Sequence, residues 1–79
     1  MISRYVQHAL DRARYQLLDD GSFAATVSTL RGVIATGTSL EACRRELAEV
    51  VEEWVLVRVS RGLSVPSLGG ATVKIRRAS

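Results

Sequence analysis

The stretch from Thr38 to Arg61 constrains this chain most, because its pattern is compatible with little except one long helix. Thr38-Ser39-Leu40-Glu41 has the form of a capping box: the Thr38 hydroxyl takes an orphan N–H of the first turn, and the Glu41 carboxylate reaches back to the cap. At about 100° per residue, Leu40, Cys43, Leu47, Val50, Val51 and Trp54 fall on one stripe. Arg45, Glu46, Glu49, Glu52 and Glu53 fall on the other side. Gly62 suits the position just past the helix end, and Pro66 follows within a few residues. Beyond Trp54 the polar side disappears, since Val55, Leu56, Val57 and Val59 point in four directions. A helix that is apolar all round at one end must be covered all round there.

The rest of the chain is organised by that helix. Ile2, Tyr5, Val6, Ala9 and Leu10 repeat at helical spacing and predict a short amphipathic helix from Ser3 to Leu10, within residues 1–12. So short a helix is unstable alone and must dock. Residues 13–37 predict a three-stranded meander. Ala13 to Leu18 and Ser22 to Leu30 flank the hairpin signal Asp19-Asp20-Gly21. A two-residue loop at Asp20-Gly21 would pair Leu18 with Phe23 and put Arg14 opposite Val27. A three-residue loop with a bulge at Gly21 pairs Leu17 with Phe23, Tyr15 with Ala25 and Ala13 with Val27, and only this register keeps the apolar residues on one face. Leu30-Arg31-Gly32 turns the chain into a third strand, Val33 to Thr36, and Gly37 leads into the helix cap over 38–61. Residues 62–70 form a Pro/Gly/Ser-containing loop. Ala71, Val73 and Ile75 alternate with Thr72 and Lys74, which predicts a last edge strand over 71–76. The order α-β-β-β-α-β gives an α+β class: a small antiparallel sheet with one long helix packed on it, in a single domain over 1–79.

Seventy-nine residues with 47% hydrophobic content can bury one modest core, and domains this small often gain stability by oligomerising. Net charge is +3, but Lys74, Arg76 and Arg77 lie in the last six residues, so a solvated basic tail explains the excess more simply than a nucleic-acid surface. A lone cysteine fits a reducing compartment, and neither a secretory leader nor an apolar run of membrane-spanning length is present. A cytoplasmic protein without a membrane partner is expected.

No residue pattern points to catalysis. His8 lacks Cys or His neighbours at ligand spacing, so neither a metal nor a cofactor is expected. Cys43 lies on the buried stripe, away from the electropositive setting a nucleophile needs. Asp19 and Asp20 are adjacent carboxylates, but a hairpin tip favours Asp for its turn chemistry. Glu46, Glu49, Glu52 and Glu53 form a solvated helix face, with docking of a basic partner as the alternative.

Residues Tyr15 to Val59 resemble the HicB-type antitoxin family. The resemblance is carried by the Asp-Gly hairpin tip, the turn Leu30-Arg31-Gly32, and Ala35-Thr36-Gly37-Thr38-Ser39-Leu40-Glu41-Ala42 opening the long helix. These are similar to the family's Leu-Pro-Gly turn, its strand ending in Thr-x-Gly and its Ser/Thr-Leu-Glu-Glu-Ala helix start. Leu63-Ser64-Val65-Pro66 is similar to its loop after the helix. Ser28 and Arg31 stand where prolines are usual, and Ala42 replaces the second Glu. The resemblance implies a partial RNase-H-like sheet and a non-catalytic module that neutralises a HicA-type RNA-cleaving toxin by covering it. It does not extend to the DNA-binding segment that many members carry, so operator DNA is not an expected partner. Two alternatives stay open: an orphan oligomeric scaffold, or a weak nucleic-acid binder through Lys74, Arg76 and Arg77. A homo-oligomer is expected in any case. Leu56 lies on the side left to water, beside Val59 and followed by Leu63, and these three are the expected contact with a second subunit or partner.

Overall fold

The computed structural model describes residues 2–66 and Leu68. Helix α1 spans Ile2–Arg12, strands β1, β2 and β3 span Arg14–Leu17, Phe23–Thr26 and Ile34–Gly37, and helix α2 spans Leu40–Ser60. The three strands form an antiparallel meander in the order β1-β2-β3. The architecture is the expected α+β, with one long helix packed on the sheet. The expected strand over 71–76 lies outside the described residues, and so do Lys74, Arg76 and Arg77.

Helix α1 is longer at both ends than its apolar stripe required. Tyr5, Val6, Ala9 and Leu10 are buried, and it docks against α2. The hairpin register is the expected one, with Leu17 opposite Phe23 and Tyr15 opposite Ala25. Its loop closes through Leu18 N–H to the Ser22 carbonyl at 2.8 Å and Gly21 N–H to the Leu18 carbonyl at 3.0 Å. Gly21 sits at φ +85°, a conformation that costs a residue with a Cβ. The Asp20 carboxylate accepts from the Ser22 N–H and hydroxyl, and these bonds hold its carboxyl below the usual range. Between β2 and β3, the turn is pinned inward by buried Val27, Leu30 and Val33.

At the junction of β3 and α2 the two elements nearly touch. A Cβ on Gly37 would stand 2.8 Å from the Cys43 Cα and 2.9 Å from the Ala42 carbonyl carbon, so only glycine fits. The helix cap is Ser39, not Thr38: Ser39 is extended at φ −140° and ψ 164°, and its hydroxyl accepts from Ala42 N–H at 3.0 Å. This corrects the expected capping box. With Ser39 as cap, the residue that would reciprocate is Ala42, which has no carboxylate, and Glu41 falls one position early. Ser39→Ala is expected to cost about 1 kcal/mol in chemical denaturation, while Thr38→Ala stays within about 0.5 kcal/mol of wild type. The reverse ranking would restore Thr38 as the cap.

Cys43, Leu47, Val51 and Val55 form the buried row of α2, one residue in every four. Leu40, expected on that row, is 51% exposed, and Val50 and Trp54 are half-buried. The reason is lateral placement: α2 lies over β3 and β2, and Leu40 faces away from them, toward open surface that it lines with Tyr15. The helix ends in a Schellman motif, with Leu63 N–H bonded to the Arg58 carbonyl at 2.8 Å, Gly62 N–H to the Val59 carbonyl at 3.0 Å, and Gly62 at φ +69°. The apolar end of α2 is partly covered by α1 and by the following loop, whose Pro66 carbonyl accepts from the Tyr5 hydroxyl.

Candidate functional site

Among the described residues, two of the surface clefts lie beside α2. The first, about 400 Å³, lies beside the start of the helix and is lined by Tyr15, Leu40, Glu41 and Arg44. It exists because α2 leaves the inner face of β1 largely uncovered: Leu17 is 64% exposed there although it points to the helix side of the sheet. The Tyr15 hydroxyl is buried and has no hydrogen-bond partner among the described residues. Nothing in the period-2 pattern of Tyr15 and Leu17 distinguishes a strand under a helix from one beside it, so this cleft was not legible in advance.

The second cleft, about 340 Å³, lies along the last turns of α2 and is lined by Val50, Glu53, Trp54, Val57, Arg58, Arg61 and Leu63. Its floor is Trp54, which packs against the core as a half-buried side chain. The Arg58 guanidinium stacks over the indole at 4.9 Å from the ring centroid, and its Nε donates to the Ser64 carbonyl at 2.7 Å. The three residues singled out by the sequence part company here. Leu63 lines this cleft, Leu56 is exposed on the next face of the helix, and Val59 is half-buried against the core.

The side chains weighed for chemistry take structural positions. Cys43 is fully buried, its thiol is pushed up by desolvation and by the Glu46 charge, and it contacts the Ala35 carbonyl. Asp19 and Asp20 stay at the exposed hairpin tip, and His8 is half-buried on α1. Among the described residues, no group of three or more His, Cys, Asp or Glu side chains is placed to hold a metal ion. No helix among them is long and apolar enough to cross a membrane. Glu46, Glu49, Glu52 and Glu53 make an exposed acidic ridge along α2.

Residues 4–66 match the UPF0150-like family, which takes in α1 from Arg4 onward, the three strands and all of α2. The chain belongs to the UPF0150-like family. The fold is also similar to the crystal structure of TTHA0281 from Thermus thermophilus, at 36% identity and a TM-score of 0.87, over 96% of this chain and 95% of that one. No curated protein matches. The HicB resemblance read from the Leu30 turn and the Gly37-to-Ala42 stretch thus stands at the level of a UPF0150/HicB-like fold and family. Both clefts and the acidic ridge of this UPF0150-like domain lie on α2 or beside it, so α2 carries the candidate surfaces as well as a row of the core.

Proposed function

We propose that this chain is a non-catalytic, antitoxin-type binding module that neutralises a HicA-type RNA-cleaving toxin by covering it. Family membership across residues 4–66 carries the reading. The acidic ridge Glu46, Glu49, Glu52 and Glu53 supports it, because an RNA-cleaving partner needs a basic surface for phosphate and such a surface is complementary to exposed carboxylates. The mechanism is steric and electrostatic: the module occupies the toxin's RNA-binding face and asks no bond-making of its own residues. A cytoplasmic site of action follows, since that is where the toxin's substrate is.

Co-expression with a HicA-type toxin is expected to restore growth, and the two chains to purify together. The isolated chain is expected to leave RNA intact. Glu49→Lys combined with Glu52→Lys is expected to weaken the complex by about tenfold or more while leaving the helical dichroism unchanged. Uninhibited toxin in the presence of excess wild-type chain rules the proposal out and favours an orphan scaffold. RNA retained by the chain alone, with affinity falling steeply in salt, favours a nucleic-acid binder instead.

A further inference from the structure

We infer that the free edge of β3 takes up an extended, basic segment of a partner protein as an added antiparallel strand, roofed by the Glu46–Glu53 flank of α2. The inference rests on the antitoxin reading for who the partner is, and adds where and how it is held. The hairpin settles which main-chain groups are on offer. Leu18 N–H bonds to the Ser22 carbonyl at 2.8 Å, and bonded pairs recur at every second residue of an antiparallel ladder. Gln16–Ala24 and Arg14–Thr26 are therefore the bonded pairs of β1 and β2, which leaves Phe23 and Ala25 to bond Gly37 and Ala35 of β3. Ile34 and Thr36 consequently aim their N–H and C=O groups away from the sheet, and no turn or loop among the described residues bonds to them.

Edge strands are ordinarily guarded by charge, proline or a bulge. β3 reads Ile34-Ala35-Thr36-Gly37 in continuous register with β2 and has none of the three, and Ile34 is 59% exposed. β1, at the other edge, carries Arg14, and the cleft on that side is lined by both Glu41 and Arg44, which favours neither sign of charge. The β3 side differs. Since Glu41 and Arg44 line the cleft beside Tyr15 of β1, the residues about 200° round the helix overhang β3. These are Glu46, Glu53 two turns on in nearly the same line, and half-buried Val50 between them. The Glu46 charge reaches the Cys43 thiol, which contacts the Ala35 carbonyl, so Glu46 stands over this strand. Arg31 belongs to the turn before β3, Arg45 points about 100° away from Glu46, and Arg58 and Arg61 come about 12 Å and more beyond Val50. An added strand alternates its side chains: one set enters under α2, where cations meet Glu46 and Glu53, and the other lies beside Ile34, where apolar residues fit. A second copy of this chain in that place would set the two acidic flanks against each other, so the occupant is a basic partner.

A peptide of alternating Lys and Val, titrated into the full chain and followed by amide exchange, tests this. In the free chain Ile34 and Thr36 are expected to exchange fast. Saturating peptide is expected to protect these two amides and to leave Ala35 and Gly37, already bonded to β2, as they were. In antiparallel pairing the valines lie beside Ile34 and bond the edge. Methylating the valine amides is therefore expected to abolish binding, and methylating the lysine amides to leave it intact. Glu46→Lys combined with Glu53→Lys is expected to raise the peptide Kd by about tenfold or more. Both positions are exposed, so the helical dichroism is expected to match wild type. Binding that survives methylation of the valines, or that ignores the charge reversal, overturns the inference. A HicA-type toxin that is neutralised while Ile34 and Thr36 still exchange freely overturns this docking mode and leaves the antitoxin reading standing. Protection by the peptide in a chain that neutralises no toxin supports the edge and removes that reading instead.

Discussion

Gly37→Ala is expected to lower stability by about 3 kcal/mol, near the upper end of what forced overpacking costs in a close-packed interior. For a domain of this size that corresponds to a fall in melting temperature of roughly 12–24 °C. The cost arises because the added methyl meets main chain. Cys43 N and Cα and the Ala42 carbonyl carbon stand where the Cβ would be, and none is the end of a flexible side chain that could swing away. Relief requires the first turn of α2 to lift from β3, which loosens the buried contacts of Ala35 and Cys43 behind it. Gly21 provides the contrast. Its φ is +85° but a Cβ there meets nothing within 4 Å, so Gly21→Ala carries only the left-handed backbone penalty of about 1–2 kcal/mol. Thermal melts of the two variants separate the effects. Equal losses, or a Gly37→Ala protein within a few degrees of wild type, contradict the close approach.

Tyr5→Ala is expected to cost about 3–5 kcal/mol, and Tyr5→Phe about 1 kcal/mol. The ring is fully buried between α1 and α2, and its hydroxyl donates to the Pro66 carbonyl at the end of the loop that follows α2. Removing the ring opens a cavity in the core, whereas removing the hydroxyl alone leaves one carbonyl to find another donor. The phenol also titrates. Burial pushes it above its ordinary value of 10, while the positive charge of Arg58 opposes that shift. A group whose pKa is raised on folding contributes stability that is fully present below the unfolded value and is lost as pH rises through the folded one. Wild-type protein is therefore expected to lose stability above about pH 10, and Tyr5→Phe to flatten that limb. Denaturant midpoints measured from pH 8 to 11 check the slope. An identical alkaline limb in Tyr5→Phe assigns the titration to another group.

The hairpin was legible to the residue, because only one register keeps Tyr15, Phe23, Ala25 and Val27 on the same face and Gly21 supplies the bulge that register needs. The end of α2 was legible for a similar reason, since Gly62 followed by an apolar residue is sufficient for the Schellman turn that forms. Its start was not. Thr38 and Ser39 are equally good caps by type, and what selects Ser39 is the exit direction of β3 past Gly37, a tertiary fact. Leu40 failed likewise: its periodicity places it correctly on the helix, but whether that turn lies above a strand depends on where the helix crosses the sheet. Of the surfaces, the unmatched apolar end of α2 could be read from Leu56, Val57 and Leu63. The cleft beside it, lined by Trp54, Arg58 and Leu63, depends on where the loop after α2 returns, which periodicity alone does not reveal.

The Tyr5–Pro66 bond joins residues 61 apart, whereas the hairpin, the second turn and the seating of α2 on β3 all join near neighbours along the chain. In kinetic terms the meander and α2 can assemble by short, cheap loop closures, and the long closure that brings both ends of the described chain together comes late. A late contact contributes little to the folding rate and much to the unfolding barrier. The latch between α1 and the Pro66 loop thus acts on the lifetime of the folded state more than on the speed of reaching it, and in a domain of this size lifetime is what limits exposure to proteolysis when reclosing is slow.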